Sequence, residues 1–198
     1  MQQINTRFAG ALRAALDANI REQRERYPER TAFGQYWEKH NGVYVAVHDA
    51  PAITGNILPT EGLNNLCDVW LGAAAKAAGW YIALYSGAVS PQANWTAANF
   101  AANATEITSQ TEGYSEATRP QFVAAGAAAN GAIDNIGHEA AYTIVCTTSI
   151  NVNGVGFLSS NARGGTSGVL GSAARYGATR VLQNGDAYEV GYRTTFTS

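Results

Sequence analysis

Three histidines and a scatter of carboxylates are the side chains of this sequence best suited to acid–base chemistry. His48-Asp49 and His138-Glu139 place an imidazole next to a carboxylate, which can hold one tautomer and tune a general base. Adjacent residues on a strand point to opposite faces, however. His48-Asp49 therefore reads as a strand-end pair before Pro51, and His138-Glu139 as part of a loop after Ile136-Gly137. His40, beside Asn41-Gly42, flanks a turn. Three histidines without a common spacing do not make a metal site. Glycoside hydrolysis would need two carboxylates converging on a cleft, and Asp68, Glu112 and Asp134 have no spacing that brings them together.

Two glycine-rich stretches invite a nucleotide. Arg163-Gly164-Gly165-Thr166-Ser167-Gly168 could turn backbone N–H groups toward a phosphate. A P-loop also needs Lys followed by Ser or Thr opening a helix, whereas Val169-Leu170 continue toward a strand. Gly154-Val155-Gly156 lacks the helix and downstream acid of a dinucleotide fingerprint. No G-x-S-x-G elbow for a serine hydrolase is present. The expectation is a protein with no cofactor, no metal and no catalytic residue.

Bulk composition points the same way. Charged residues make up 14% of the 198, and the net charge is −2. Charged side chains are depleted where surfaces are covered by neighbours, because desolvating them is costly. No overall basic field invites nucleic acid or an anionic membrane. Six of the thirteen Lys and Arg residues fall in the first thirty positions, diluted there by four acids. No apolar run is long enough to span a bilayer. Cys67 and Cys146 lie in apolar runs and are expected as buried, reduced thiols.

The elements that must carry any site come next. Ile4, Phe8, Leu12, Leu16 and Ile20 recur every four residues and predict a helix over 3–27, ended by Pro28. Phe33, Tyr36 and Trp37 read as apolar anchors in a linker, with a strand at 43–47. A second helix is predicted over 61–77, with Leu63, Leu66, Val69, Trp70 and Ala73 on one face. A strand at 80–85 and a short helix at 95–101 follow. Further strands are expected at 121–126, 131–134, 141–149, 154–159, 168–174, 178–182 and 187–196, with turns at Asn130-Gly131, Asn153-Gly154 and Asn184-Gly185-Asp186. The last of these is read as a hairpin, because Tyr188, Val190 and Tyr192 alternate after it.

Trp80-Tyr81-Ile82-Ala83-Leu84-Tyr85, Tyr114 through Pro120, Gly154-Val155-Gly156-Phe157-Leu158, Arg163-Gly164-Gly165-Thr166 and Gly185-Asp186 together resemble small structural proteins of tailed-bacteriophage virions. These are capsid decoration (cement) or fibre-like β-sandwich proteins. The resemblance covers about residues 62–196 and leaves 1–58 outside it.

It implies a mainly β chain, an antiparallel β-sandwich or jelly-roll-like module, to which the residue periodicity adds an N-terminal helical arm and one further helix. Residues 1–58 would be arm and linker, and 59–198 the β-rich domain. The function implied is non-enzymatic: cementing junctions between major capsid protein subunits on the capsid surface, after synthesis in the host cytoplasm. The chain would act as a homo-oligomer, a trimer, with no membrane and no nucleic acid as direct partner. The alternative is a tail fibre or receptor-binding module, whose exposed aromatics would contact host surface glycans. The expected partner-binding residues are Ile4, Phe8, Leu12, Leu16, Ile20, Phe33, Tyr36 and Trp37. Deleting residues 1–27 is expected to leave the β-module folded.

Overall fold

The computed structural model describes residues 2–26, 32–47 and 57–196. Among them are three helices and nine strands, all paired antiparallel. The chain is mainly β. A larger sheet runs in the order β2 (Val43–Val47), β1 (Ala32–His40), β9 (Ala187–Phe196), β6 (Ala140–Val145), β4 (Gly113–Tyr114), and β5 (Ala132–Asp134) also pairs with β9. A smaller sheet runs β3 (Tyr81–Tyr85), β7 (Ile150–Leu158), β8 (Leu170–Leu182).

The core lies between the two sheets. Alternate residues of each strand point inward, which brings Tyr142, Ile144, Tyr188, Val190 and Tyr192 of the larger sheet against Ile82, Leu84, Val152, Phe157 and Tyr176 of the smaller one. Two of the phenols in this core find hydrogen-bond partners: the Tyr142 hydroxyl donates to the Ile82 carbonyl at 2.8 Å, and Tyr36 Oη lies 2.8 Å from Ser172 Oγ. Helices cover the outer faces. Helix α1 (Gln2–Arg26) sets Leu12 and Leu16 on Trp37 of the larger sheet and on Ile136 in the turn after β5. Helix α3 (Ala97–Ala104) sets Phe100 and Ala104 on Ala83, Tyr85 and Leu158 of the smaller one. Helix α2 (Thr60–Trp70) packs on β8.

Several expectations are corrected. The segment read as a linker holds β1, which pairs with β9 over nine residues, from Ala32 opposite Phe196 to His40 opposite Tyr188. A boundary at 58/59 therefore divides strands that share one ladder. The α2 helix ends at Trp70 instead of reaching 77. Residues 121–126 form no strand; Gln121 makes one isolated bridge with Tyr81. The segments at 168–174 and 178–182 belong to one strand, β8.

The Asn184-Gly185-Asp186 turn does not close a hairpin. It carries the chain from the smaller sheet to the larger, so β8 and β9 face one another across the core, with Tyr188 Oη and Tyr176 Oη 3.0 Å apart. Alternation along β9 is the same in both arrangements, which is why the pattern could not separate them. Asn153-Gly154 lies inside β7, not at a turn, at a shift in its register with β8. Asn130-Gly131 is a two-residue turn, with φ of 51° and 73° and reciprocal 2.9 Å hydrogen bonds between Ala129 and Ala132.

Candidate functional site

The Gly-rich loop after β7 is already occupied by the chain's own carboxylate. Arg119 and Glu106 are fully buried and meet in two 2.7 Å hydrogen bonds, Nε to Oε1 and Nη2 to Oε2. Glu106 Oε2 also accepts the Gly164 N–H at 3.0 Å, and the Gly165 N–H donates to Ala162 O. Arg163 turns back onto β4 and the loop before it, donating to the carbonyls of Tyr114 at 3.0 Å and Ser109 at 2.6 Å, with its guanidinium 3.7 Å from the Tyr114 ring centre. A phosphate in this loop would face a negative charge and amides already engaged. The arrangement is a clamp between two loops. Gly154 and Gly156 have an equally structural reason: a Cβ on either would run into the rings of Tyr85 or Phe100.

The acid–base candidates stay apart. Glu139 has its side chain almost wholly buried and accepts from Lys39 Nζ at 2.7 Å, Trp37 Nε1 at 3.1 Å and the Tyr44 hydroxyl at 3.0 Å. Burial alone would raise its pKa, but the Lys39 and Trp37 hydrogen bonds outweigh it and hold the carboxyl below its ordinary value. Burial together with the Glu139 charge pushes the Tyr44 phenol up to about 12. His138 beside it is exposed. His40 Nε2 lies 2.7 Å from Asp186 Oδ2 where two turns meet. Asp68 is exposed on α2, Glu112 bonds Thr147, and Asp134 pairs with Arg13 at 3.2 Å. His48-Asp49 falls outside the described residues. Among the described residues no group of three His, Cys, Asp or Glu side chains could hold a metal, and no helix is long and apolar enough to cross a membrane.

Most of the expected partner-binding side chains serve this chain's own core. Leu12, Leu16 and Ile20 are buried beneath α1, Trp37 is fully buried in the same layer, and Tyr36 points into the sandwich. Leu12, Leu16, Ile20, Tyr36 and Trp37 therefore present no apolar surface to a neighbour while the chain is folded as described. The side chains of Ile4, Phe8 and Phe33 lie outside the described residues. Cys67 is exposed, contrary to expectation, and Cys146 is buried; both are free thiols.

Among the described residues, a run of exposed large apolar side chains lies on α2 and at its C-terminal end. The inward face of α2 is the backbone at Gly62, where a Cβ would come within 2.6 Å of the Gly171 carbonyl oxygen. Glu61 fastens this face, accepting the N–H groups of Leu170 at 2.6 Å and Ala97 at 2.8 Å. That seating turns Leu63 and Leu66 outward and leaves Trp70 at 78% and Leu71 at 79% exposure.

Beside this stripe runs a groove of about 480 Å³, floored by Trp80, Phe122, Phe157 and Tyr192. The floor is a stack: Trp80 lies 4.9 Å from Phe157 at 3° between planes, and Phe157 4.3 Å from Tyr192. The sequence placed Leu63, Leu66 and Trp70 on one helical face, but such a stripe ordinarily marks the side turned to the core. Here the buried position is Gly62, which has no side chain to reveal the inward face. Compared with known proteins, the chain matches no family model and no curated sequence.

Proposed function

We propose that this chain is a non-enzymatic structural protein of a tailed-bacteriophage virion: a capsid cement protein that binds between major capsid protein subunits on the outside of the head. The observation that carries the proposal is the α2 stripe. Tryptophan and leucine side chains at 78% and 79% exposure keep a costly apolar area in water unless a neighbour covers it. A low-charge exterior suits the same use. Attachment then falls to Leu63, Leu66, Trp70 and Leu71, not to the N-terminal helix. Many modest contacts on a repeating shell act at high effective concentration, so no single interface has to be tight.

The test is the copy number of the chain in particles purified from the lysate of its host, measured by quantitative mass spectrometry against the major coat protein. Hundreds of copies per particle are expected. A count in the low tens or fewer would favour a tail fibre or receptor-binding module, and absence from particles would end the virion proposal. Trp70→Ser with Leu71→Ser should remove the chain from particles while leaving its melting temperature unchanged.

A further inference from the structure

Asn-Gly occurs four times in the chain, at Asn41-Gly42, Asn130-Gly131, Asn153-Gly154 and Asn184-Gly185. Glycine leaves its own backbone nitrogen unshielded by a side chain, so in this dipeptide that nitrogen can attack the amide carbon of the asparagine. Attack needs the amide and the intervening peptide to rotate toward one another. Hydrogen bonds that hold either group therefore slow it.

Three of the four pairs are held. Asn41 Nδ2 donates to Asp186 Oδ1 at 3.0 Å, and its Oδ1 accepts the Ala187 N–H at 2.9 Å. Asn153, inside β7, donates from Nδ2 to the Ser86 carbonyl at 2.6 Å and accepts the Thr179 hydroxyl on Oδ1 at 2.7 Å. Asn184 Oδ1 accepts the Cys146 N–H at 3.2 Å, and the Gly185 nitrogen that would attack it donates to the Ile144 carbonyl at 2.8 Å. Exposure does not separate the pairs, since Asn41 and Asn184 are exposed just as Asn130 is.

Asn130 is held by nothing. Its side chain, its carbonyl and the Gly131 N–H have no hydrogen-bond partner among the described residues. Those last two groups form the central peptide of the turn, whose φ values of 51° and 73° are both positive, as in a type I′ hairpin. Flipping that peptide gives type II′, which keeps φ of Asn130 positive and swings the Gly131 nitrogen round to the Asn130 side chain; glycine accepts the change. Both turn types close the same two-residue hairpin, so the flanking bonds between Ala129 and Ala132 persist. The reactive geometry is one peptide rotation away.

We infer that Asn130 is a self-modification site, at which the folded chain deamidates ahead of its other Asn-Gly pairs. The Gly131 nitrogen gives its proton to solvent base and bonds to Asn130 Cγ; the side-chain nitrogen takes up a proton and leaves as ammonia, and a succinimide ring remains. Water then opens the ring at one of its two carbonyls. One product is aspartate, and the other is isoaspartate, whose main chain runs through the β-carbon. Isoaspartate adds a main-chain carbon to the turn that launches β5. That strand has three residues, pairs with β9, and carries the Asp134 that meets Arg13 of α1 at 3.2 Å. The longer turn loosens the Ala129–Ala132 bonds and the start of this strand. The inference stands apart from the coat proposal and holds whatever the chain attaches to.

Ageing the full chain in mildly alkaline buffer, folded and in concentrated urea, tests it, with fragment-ion mass spectrometry locating each conversion of amide to acid. In the folded chain Asn130 should convert about tenfold or more faster than Asn41, Asn153 or Asn184, because only they must first release hydrogen bonds. In urea the four rates should converge. Equal rates in the folded chain, a faster conversion at one of the other three, or the same lead for Asn130 in urea would each overturn the inference. Hydrogen exchange at the Ala132 N–H should rise in the aged chain and stay constant in aged Asn130→Gly, which keeps a turn of the same type. Unchanged exchange in a chain carrying isoaspartate would overturn the loosening.

Discussion

Trp37 and Gly191 stand opposite one another in the β1–β9 ladder, and the indole occupies the space a side chain on Gly191 would need. The pairing lets the ring lie flat on the outer face of the sheet, where Leu12 and Leu16 of α1 cover it. Gly191→Ala should therefore displace the ring, at a cost of about 1–3 kcal/mol from overpacking. Trp37→Ala should cost about 3–5 kcal/mol and remove a donor from Glu139. Urea denaturation of the two variants measures both. A Gly191→Ala protein as stable as the parent would show that the ring has room to move.

Acid should loosen the Glu139 cluster and the turn contact at Asp186. The Asp186 carboxyl is held down to about 2, first by the Gln183 N–H and then by the Asn41 amide, and Glu139 is likewise held below its ordinary value. A carboxyl with a depressed pKa binds its proton less readily folded than unfolded. Its stabilisation is present above the unfolded pKa near 4 and is lost as pH falls toward the folded value. Melting temperature should hold from neutral pH to about pH 5 and then fall toward pH 2. Glu139→Gln and Asp186→Asn should each flatten that fall, and an unchanged pH profile in both variants would contradict the assignment.

How far the sequence could be read follows from which signals are local. Strand β6, strand β9 and the Asn130-Gly131 turn announce themselves through alternation or positive φ, both properties of neighbouring residues. Strand β1 was missed because Gly34, Gln35 and Glu38 interrupt its apolar pattern. Those residues are buried only because partners come from far away: Gln35 Nε2 donates to Leu16 O at 2.9 Å, and Glu38 meets Arg180 Nε at 2.9 Å. The direction of the α2 stripe was not legible for the reverse reason, since the stripe is real but faces out. Arg193 offered no signal, as one arginine in an alternating strand is an ordinary outward residue until α1 closes over it.

The buried Glu106–Arg119 pair should be costly to break and cheap to replace. Removing one partner leaves a charge in the interior, with a cost of about 3–5 kcal/mol, and Glu106→Gln also weakens the acceptor for Gly164. Arg119→Met alone should be strongly destabilising, and Arg119→Met with Glu106→Leu should recover part of the loss. Limited trypsin digestion gives an independent readout. Arg163 lies in the clamped loop, so cleavage after it should accelerate in the single variants. Equal resistance in all of them would mean the loop is held by other contacts.

Removing α1 tests whether the helix is an arm or a layer of the fold. An arm could be deleted without effect on the β-module, which is what the sequence alone suggested. As folded, α1 covers Trp37, buries Leu12, Leu16 and Ile20, supplies the carbonyl and the Asn19 side chain that accept from Gln35 Nε2, and pairs Asp17 with Arg193. Burial of each large apolar side chain stabilises by about 1.5–3 kcal/mol, so the loss is comparable with the whole stability of a domain, about 5–15 kcal/mol. A chain starting at residue 28 should melt far below the full chain, bind a hydrophobic dye through the uncovered Trp37 face, and show a red-shifted tryptophan emission. Cooperative melting at the parental temperature would return α1 to the status of an arm and free Leu12 and Leu16 for a neighbour.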